Sequence, residues 1–184
     1  MDALDALHQR SSVPRLGDPL PSEEMLENIY KAAFRAADHA VLRPWRFLVI
    51  KGDSRERLGE LFVQAGKARD AALDAATEAK LRSKPLRAPL ILVCISSYKS
   101  HPKVPEIEQD LSAGAATQNM LTAAFAQGLG AMWRTGSLAY NPVVKDGLGL
   151  DENEKIIGFL YIGTIDGGTK QLCEADVESY FQDW

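Results

Sequence analysis

Apolar residues recur along the chain in two rhythms, and the points where one gives way to the other mark its elements. From Pro21 onward, Met25/Leu26, Ile29/Tyr30 and Ala33/Phe34 repeat at helical spacing behind Ser22 as N-cap, with Glu23 and Glu24 in the first turn, where the dipole favours acids. A shorter amphipathic stretch, Met1–Gln9, puts Leu4 and Leu7 on one face and breaks at the polar turn Arg10-Ser-Ser-Val-Pro14. Pro44 disfavours helix at Arg43, so Asp38–Pro44 reads as a loop, and Arg46–Ile50 follows as a buried strand ended by Lys51-Gly-Asp. Ser54 then caps a helix that the pattern carries toward Lys84. Leu58, Leu61, Phe62 and Ala65 form its stripe, and its Ala/Lys/Arg/Asp-rich second half is expected to be solvent-facing or mobile.

The second half of the chain repeats the alternation. Leu90–Ser96 is an unbroken apolar run of strand length, and beyond the loop Pro102-Lys-Val-Pro105 a helix carries Ile107, Leu111, Ala115, Leu121 and Phe125 to a stop at Gly128-Leu-Gly130. Ala131–Ser137 is expected as a third strand, Asn141-Pro142 caps a short helix, and Ile156–Ile162 is a fourth strand before an extended tail from Gly163. Helices interleaved with buried strands imply an α/β layered architecture, its sheet covered on both faces, in a single domain over residues 1–184.

Composition narrows the function classes. With 184 residues, 46% of them hydrophobic, the chain can bury a core without metal or disulfide staples. A net charge of -4 with scattered basic residues argues against nucleic acid as a partner. The longest apolar run falls far short of the ~20 residues of a spanning helix, and the first residues lack the features of a signal peptide. A cytoplasmic protein without a membrane partner is expected. Cys94 and Cys173 lack metal-ligand spacing, as do the three histidines, so no metal site is expected. Gly128-Leu-Gly130 follows a helix and precedes a strand, the reverse of a dinucleotide fingerprint.

Candidate chemistry sits elsewhere. Arg134 lies near the end of an alternating apolar strand, and a guanidinium there needs a partner, either one of the acids of the chain or a bound anion. Arg10 with Ser11 and Ser12 can be a capping turn or a receptor for a phosphate and polyol. Trp45 reads as a core anchor, and Asp38-His39 as a helix C-terminal cap.

Taken together and in order, Arg10-Ser-Ser, Arg35-Ala-Ala-Asp-His39, Arg43-Pro-Trp45-Arg-Phe, Trp133-Arg-Thr-Gly136 and Gly158-Phe-Leu-Tyr-Ile-Gly163-Thr resemble the nitroreductase superfamily, and a short subgroup within it. The resemblance implies an α+β sandwich of three layers with a central mixed sheet, in an entwined homodimer whose C-terminal segments wrap the partner. It implies two FMN sites at the interface, with Arg10, Ser11, Ser12, Trp133, Arg134 and Thr135 from one subunit and Arg35 and His39 from the other. Electrons would pass from NAD(P)H through FMN to a nitroaromatic, quinone or similar small acceptor by a ping-pong mechanism, with the chemistry on the flavin and no catalytic side chain. Other flavin reactions on the same scaffold, or flavin binding without catalysis, stay open, because a fold fixes neither substrate nor reaction. Ser11 stands where the wider family has a second Arg or His, and Pro14 where a Lys or Arg contacts the flavin, which leaves Arg10 and Arg15 as candidates to face N1 and the C2 carbonyl.

Overall fold

Both rhythms become the elements they call for in a computed structural model that describes residues 1–169, 172–174 and 176–184. In chain order these are α1 (Ala3–Gln9), β1 (Leu16–Gly17), α2 (Glu23–Ala33), β2 (Trp45–Lys51), α3 (Ser54–Arg69), α4 (Ala75–Ser83), β3 (Leu90–Ser97), α5 (Glu106–Ala126), β4 (Gly130–Arg134), α6 (Pro142–Gly147) and β5 (Glu154–Ile165). Helix α2 begins as its sequence requires, the Ser22 hydroxyl accepting from the Met25 amide at 3.3 Å. Gly128, at φ 79°, lets the chain leave α5 and turn into β4, which confirms the glycine pair as a helix stop.

The sheet runs β1-β5-β3-β2, and β4 also pairs with β5. Every strand pair among the described residues is antiparallel, where a mixed sheet was expected. The connections explain this. Lys51 at the end of β2 pairs with Leu90 at the start of β3, because the intervening helices bring the chain back to the end it left. A single helix, α5, separates β3 from β4, so those two strands run the same way, but β5 lies between them and pairs antiparallel with both.

Alternation along β3 divides the core. Leu90, Leu92 and Cys94 pack with α2 and α5, while Ile91, Val93 and Ile95 pack with α3 and α6. Both faces of the sheet are therefore covered, as an unbroken apolar strand demands. Trp45 is a core anchor, 8% exposed and edge-on to Phe34 with ring centres 6.4 Å apart. Arg46, next along, is held by paired 2.6 Å bonds to Glu154.

Two element boundaries differ from the sequence reading in ways that shape the site. The helix expected to continue toward Lys84 breaks at Asp70 and restarts at α4 behind Asp74, whose carboxylate accepts from the Thr77 amide at 2.8 Å. Helix α4 buries none of its residues fully, as its polar composition implied, yet it docks on α3 through two glycines seven residues apart. A Cβ on Gly59 would lie 2.4 Å from the Arg82 carbonyl oxygen, and one on Gly66 would lie 2.6 Å from the Leu81 side chain. Strand β4 stops at Arg134, short of the expected Ser137, because Gly136 turns the chain at φ 77°. Strand β5 runs past Gly163 to Ile165, which pairs with Leu16 of β1.

Candidate functional site

The site grows from the face of β4 that carries Arg134. In the antiparallel register Arg134 sits opposite Phe159 and Met132 opposite Tyr161. Alternation therefore aims the guanidinium across the Tyr161 ring, whose centre is 5.6 Å from Cζ. Burial, and then the neighbouring Arg87, hold the Arg134 pKa below its ordinary value. Its Nε is buried with no hydrogen-bond partner among the described residues. Among the described residues no carboxylate pairs with it, so the internal salt bridge is not formed there.

A cavity of about 390 Å³ opens at this point, walled by Arg134, Thr135, Trp133, Ser12, Phe159 and Tyr161. Ser12 is there because the Val13 amide donates to the Ala131 carbonyl at 3.0 Å and so pins the Arg10–Pro14 turn to β4. Arg10 closes the end of α1 outside the lining of this cavity, and its Nη1 is a second buried guanidinium nitrogen with no partner among the described residues. Trp133 turns its indole to the other face, donating from Nε1 to the Ile157 carbonyl at 3.3 Å. Only glycine leaves room for it at 158, where a Cβ would lie 2.1 Å from that nitrogen.

Two further cations line the same cavity and escaped the sequence reading. Lys84 and Arg87 occupy a 3₁₀ turn around the buried Pro85. Side chains three apart eclipse in such a turn, so both point one way. The Lys-Pro-Leu-Arg spacing was the available signal, masked by the assumption that the helix ran on to Lys84. Burial lowers the Lys84 pKa, and Arg87, Lys80, Arg69 and Arg134 lower it further. Burial also pushes the Tyr161 hydroxyl up to about 12, against the pull of Arg134 and Arg87.

Ser11 is half-buried beside Ser12 but does not line the cavity, and neither do Arg35 and His39. Arg35 and His39 stand beyond the end of α2, exposed, on a loop in which Ala40, Val41 and Arg43 all take positive φ. Such strain in residues with side chains costs on the order of 1 kcal/mol each and persists only where surrounding bonds hold it. Here the Asp38 carboxylate accepts from the Arg43 amide at 2.7 Å. His39 is not the helix C-terminal cap that the sequence suggested, since α2 is capped at Phe34; its Nδ1 meets the Glu108 carboxylate of α5 at 2.5 Å.

The family model "Nitroreductase family" matches residues 7–164. "Putative NAD(P)H nitroreductase YdjA" of Escherichia coli K12 is 45% identical over 167 residues, 89% of this chain and 88% of that protein. Among solved structures, a nitroreductase-like family protein from Bacillus cereus superposes with a TM-score of 0.85 at 22% identity, covering 100% of this chain and 96% of the other. A structure from Desulfovibrio desulfuricans, described as a nitroreductase in complex with FMN, superposes at 0.75 with 24% identity, covering 98% and 95%. The match of the family model across most of the chain, and of a relative at 45% identity over nearly all of it, place this protein in the nitroreductase family.

Proposed function

We propose that this protein is an FMN-dependent oxidoreductase that passes two electrons from NAD(P)H to a nitroaromatic, quinone or similar small acceptor, and that it works as a homodimer. The observation that carries this reading is the partnerless Arg134 guanidinium, which faces an aromatic-walled cavity where three cations meet no acid. A buried guanidinium without a counter-charge is costly unless a ligand supplies one. A planar ring with an electron-rich edge and a phosphate tail suits both that guanidinium and the second orphan at Arg10.

When bound, FMN would supply the two-electron chemistry, accepting hydride from NAD(P)H at N5 and releasing electrons to the acceptor. Arg10, Ser11 and Ser12 would hold the phosphate and ribityl chain. Arg134 and Thr135 would face the ring edge, and Trp133, packed tightly on Gly158, would fix the backbone beneath it. Arg87, which lines the cavity, joins Arg15 as a cation able to stabilise negative charge near N1. Arg35 and His39 would complete the site of the partner subunit. The strained loop and the Glu108 contact set the His39 ring in advance, leaving its Nε2 for the ligand.

Dimerisation gives the exposed apolar surface a role. Leu4 and Leu7 of α1, Ile107 and Leu111 of α5, and Phe181 and Trp184 of the tail are all exposed in the isolated chain, more large apolar surface than a monomer usually leaves wet. The test is direct. Protein purified with FMN should be yellow, hold one FMN per chain, sediment as a dimer and lose its visible absorption band anaerobically on adding NAD(P)H. A colourless monomer that takes up no FMN would refute the reading.

A further inference from the structure

Lys84 belongs to two cavities at once. On one side lies the cavity under β4, and on the other a second one of about 170 Å³, with Arg69, Thr77, Lys80, Ser137 and Asn141 in its wall. Leu138 also borders both, so the two spaces are neighbours. Arg69 arrives from the last turn of α3 and Lys80 from the last turn of α4, brought together by the Gly59 and Gly66 contacts that fold one helix on the other.

The polar part of this wall offers donors and cations and no carboxylate, beside the apolar Ala65, Leu81 and Leu138. Glu78 is occupied by Lys67 at 2.8 Å and Glu60 by Arg82 at 2.5 Å, and Glu56, at the far end of α3, is not in the wall. None of Arg69, Lys80, Lys84, Arg87 and Arg134 takes part in an ion pair among the described residues. The Asn141 side-chain oxygen already accepts from the Val143 amide at 2.9 Å, which leaves its amide N–H groups for the cavity. Helix dipoles account for one basic residue in each last turn. They do not account for Lys84 and Arg87, which lie beyond α4 and add to the same unbalanced charge. Each of these cations lowers the affinity of Lys84 for its proton, so the cluster repels itself when empty.

A polyanion removes that repulsion. The single phosphate of FMN is already assigned to Arg10, Ser11 and Ser12, whereas the electron donor has more anionic groups to place. In the phosphorylated form of the dinucleotide, the adenosine ribose carries an additional phosphomonoester close to two negative charges. We propose that the Arg69/Lys80/Lys84 cavity receives the 2′-phosphate of NADPH and makes the protein selective for NADPH over NADH. The inference rests on the flavin oxidoreductase reading, since it assumes a nicotinamide donor beside the β4 cavity.

The experiment separates the two. FMN-loaded wild type and an Arg69→Ala/Lys80→Ala double variant are titrated calorimetrically with adenosine 2′,5′-bisphosphate and with 5′-AMP, and kcat/KM is measured for NADPH and NADH. Both residues are exposed, and thermal melts confirm that the variant is folded. Wild type should prefer the bisphosphate. In the variant, bisphosphate affinity and the NADPH-to-NADH ratio should each fall by roughly tenfold or more, the size of one lost charge-assisted contact. Affinity for 5′-AMP should hold. A milder Arg69→Gln/Lys80→Gln pair repeats the comparison if the alanine protein fails to fold. Equal wild-type affinities for the two nucleotides, an unchanged ratio, or equal losses for both nucleotides would overturn the proposal. If the protein takes up no FMN, the flavin reading falls on that result alone, and the bisphosphate titration still decides this one.

Discussion

Replacing Arg134 by Met gives the sharpest test of whether its guanidinium serves the fold or a ligand. Met keeps the length and apolar stem while removing a charge that is half-buried, partnerless at Nε and repelled by Arg87. In ligand-free protein the substitution should therefore cost little stability, or even raise the melting temperature, because no ion pair is broken. With FMN present the ranking should reverse. At a concentration 100-fold above Kd a ligand stabilises by about 2.7 kcal/mol, and a charge-assisted bond is worth about 1.5–3 kcal/mol, so losing it weakens binding by roughly 10- to 150-fold. At the same FMN concentration the variant would gain about 0.3–1.4 kcal/mol. For a chain of this length about 2–4 °C accompanies each kcal/mol, so wild type should shift by about 5–11 °C and the variant by at most about half of that. Melts followed by far-UV circular dichroism at matched protein concentration, with and without FMN, provide the measurement. Equal FMN-induced shifts, or a ligand-free variant destabilised by several degrees, would show that Arg134 is structural.

Two further tests probe the frame around the site. Glu154 is almost fully buried, and the hydrogen bond from Arg46, with help from the Asp151 amide, lowers its pKa to about 2 from an ordinary 4.5. A depressed carboxylate stabilises the fold above its unfolded pKa and loses that contribution as pH falls through the folded value, so about 2–3 kcal/mol should disappear between about pH 5 and pH 2, after allowing for the exposed side of the Arg46 guanidinium. Urea titrations of wild type and Glu154→Gln should show a gap that closes over this window; a gap independent of pH would remove the ion pair from the account. Gly59→Ala should destabilise by roughly 1–3 kcal/mol through overpacking against the Arg82 carbonyl. An alanine variant with wild-type urea stability would mean that α4 is not docked on α3.

What could be read from the sequence was whatever depends on neighbours along the chain. The capped start of α2, the unbroken run of β3 and the glycine stop after α5 are local decisions, and each appears where the pattern put it. The α3–α4 break was hidden because Ala, Lys and Arg favour helix on both sides of Asp70, while the reason to fold back is tertiary, two glycines meeting a carbonyl and a leucine. Sheet pairing was hidden for a similar cause: an apolar run shows that a strand is buried on both faces, not which strand lies beside it. At the site, Ser12, Trp133, Arg134 and Thr135 do share a cavity. Lys84 and Arg87 reach it only because the chain turns back at Asp70, so the error about one helix concealed two cations.

The way polar groups are satisfied separates frame from site more clearly than burial does. Away from the β4 cavity, several cations that touch the frame find partners: Arg46 with Glu154, Arg82 with Glu60, Lys67 with Glu78, and Lys155 with Asp110. Around the β4 cavity and its neighbour the balance fails in one direction, with five cations in no ion pair and the Arg134 Nε buried without an acceptor among the described residues. Backbone strain collects in the 40–43 segment, beside the two residues expected to reach the site of a second subunit. Leaving the partly buried Lys84 and Arg134 without a counter-charge gains nothing in stability, and burial lowers the affinity of both for their protons in the empty protein. Their common sign then decides what can repay that cost. It must be anionic, large enough to touch Arg134 and Lys84 together, and flat where the wall is aromatic, which suits a phosphorylated aromatic cofactor better than a small inorganic anion.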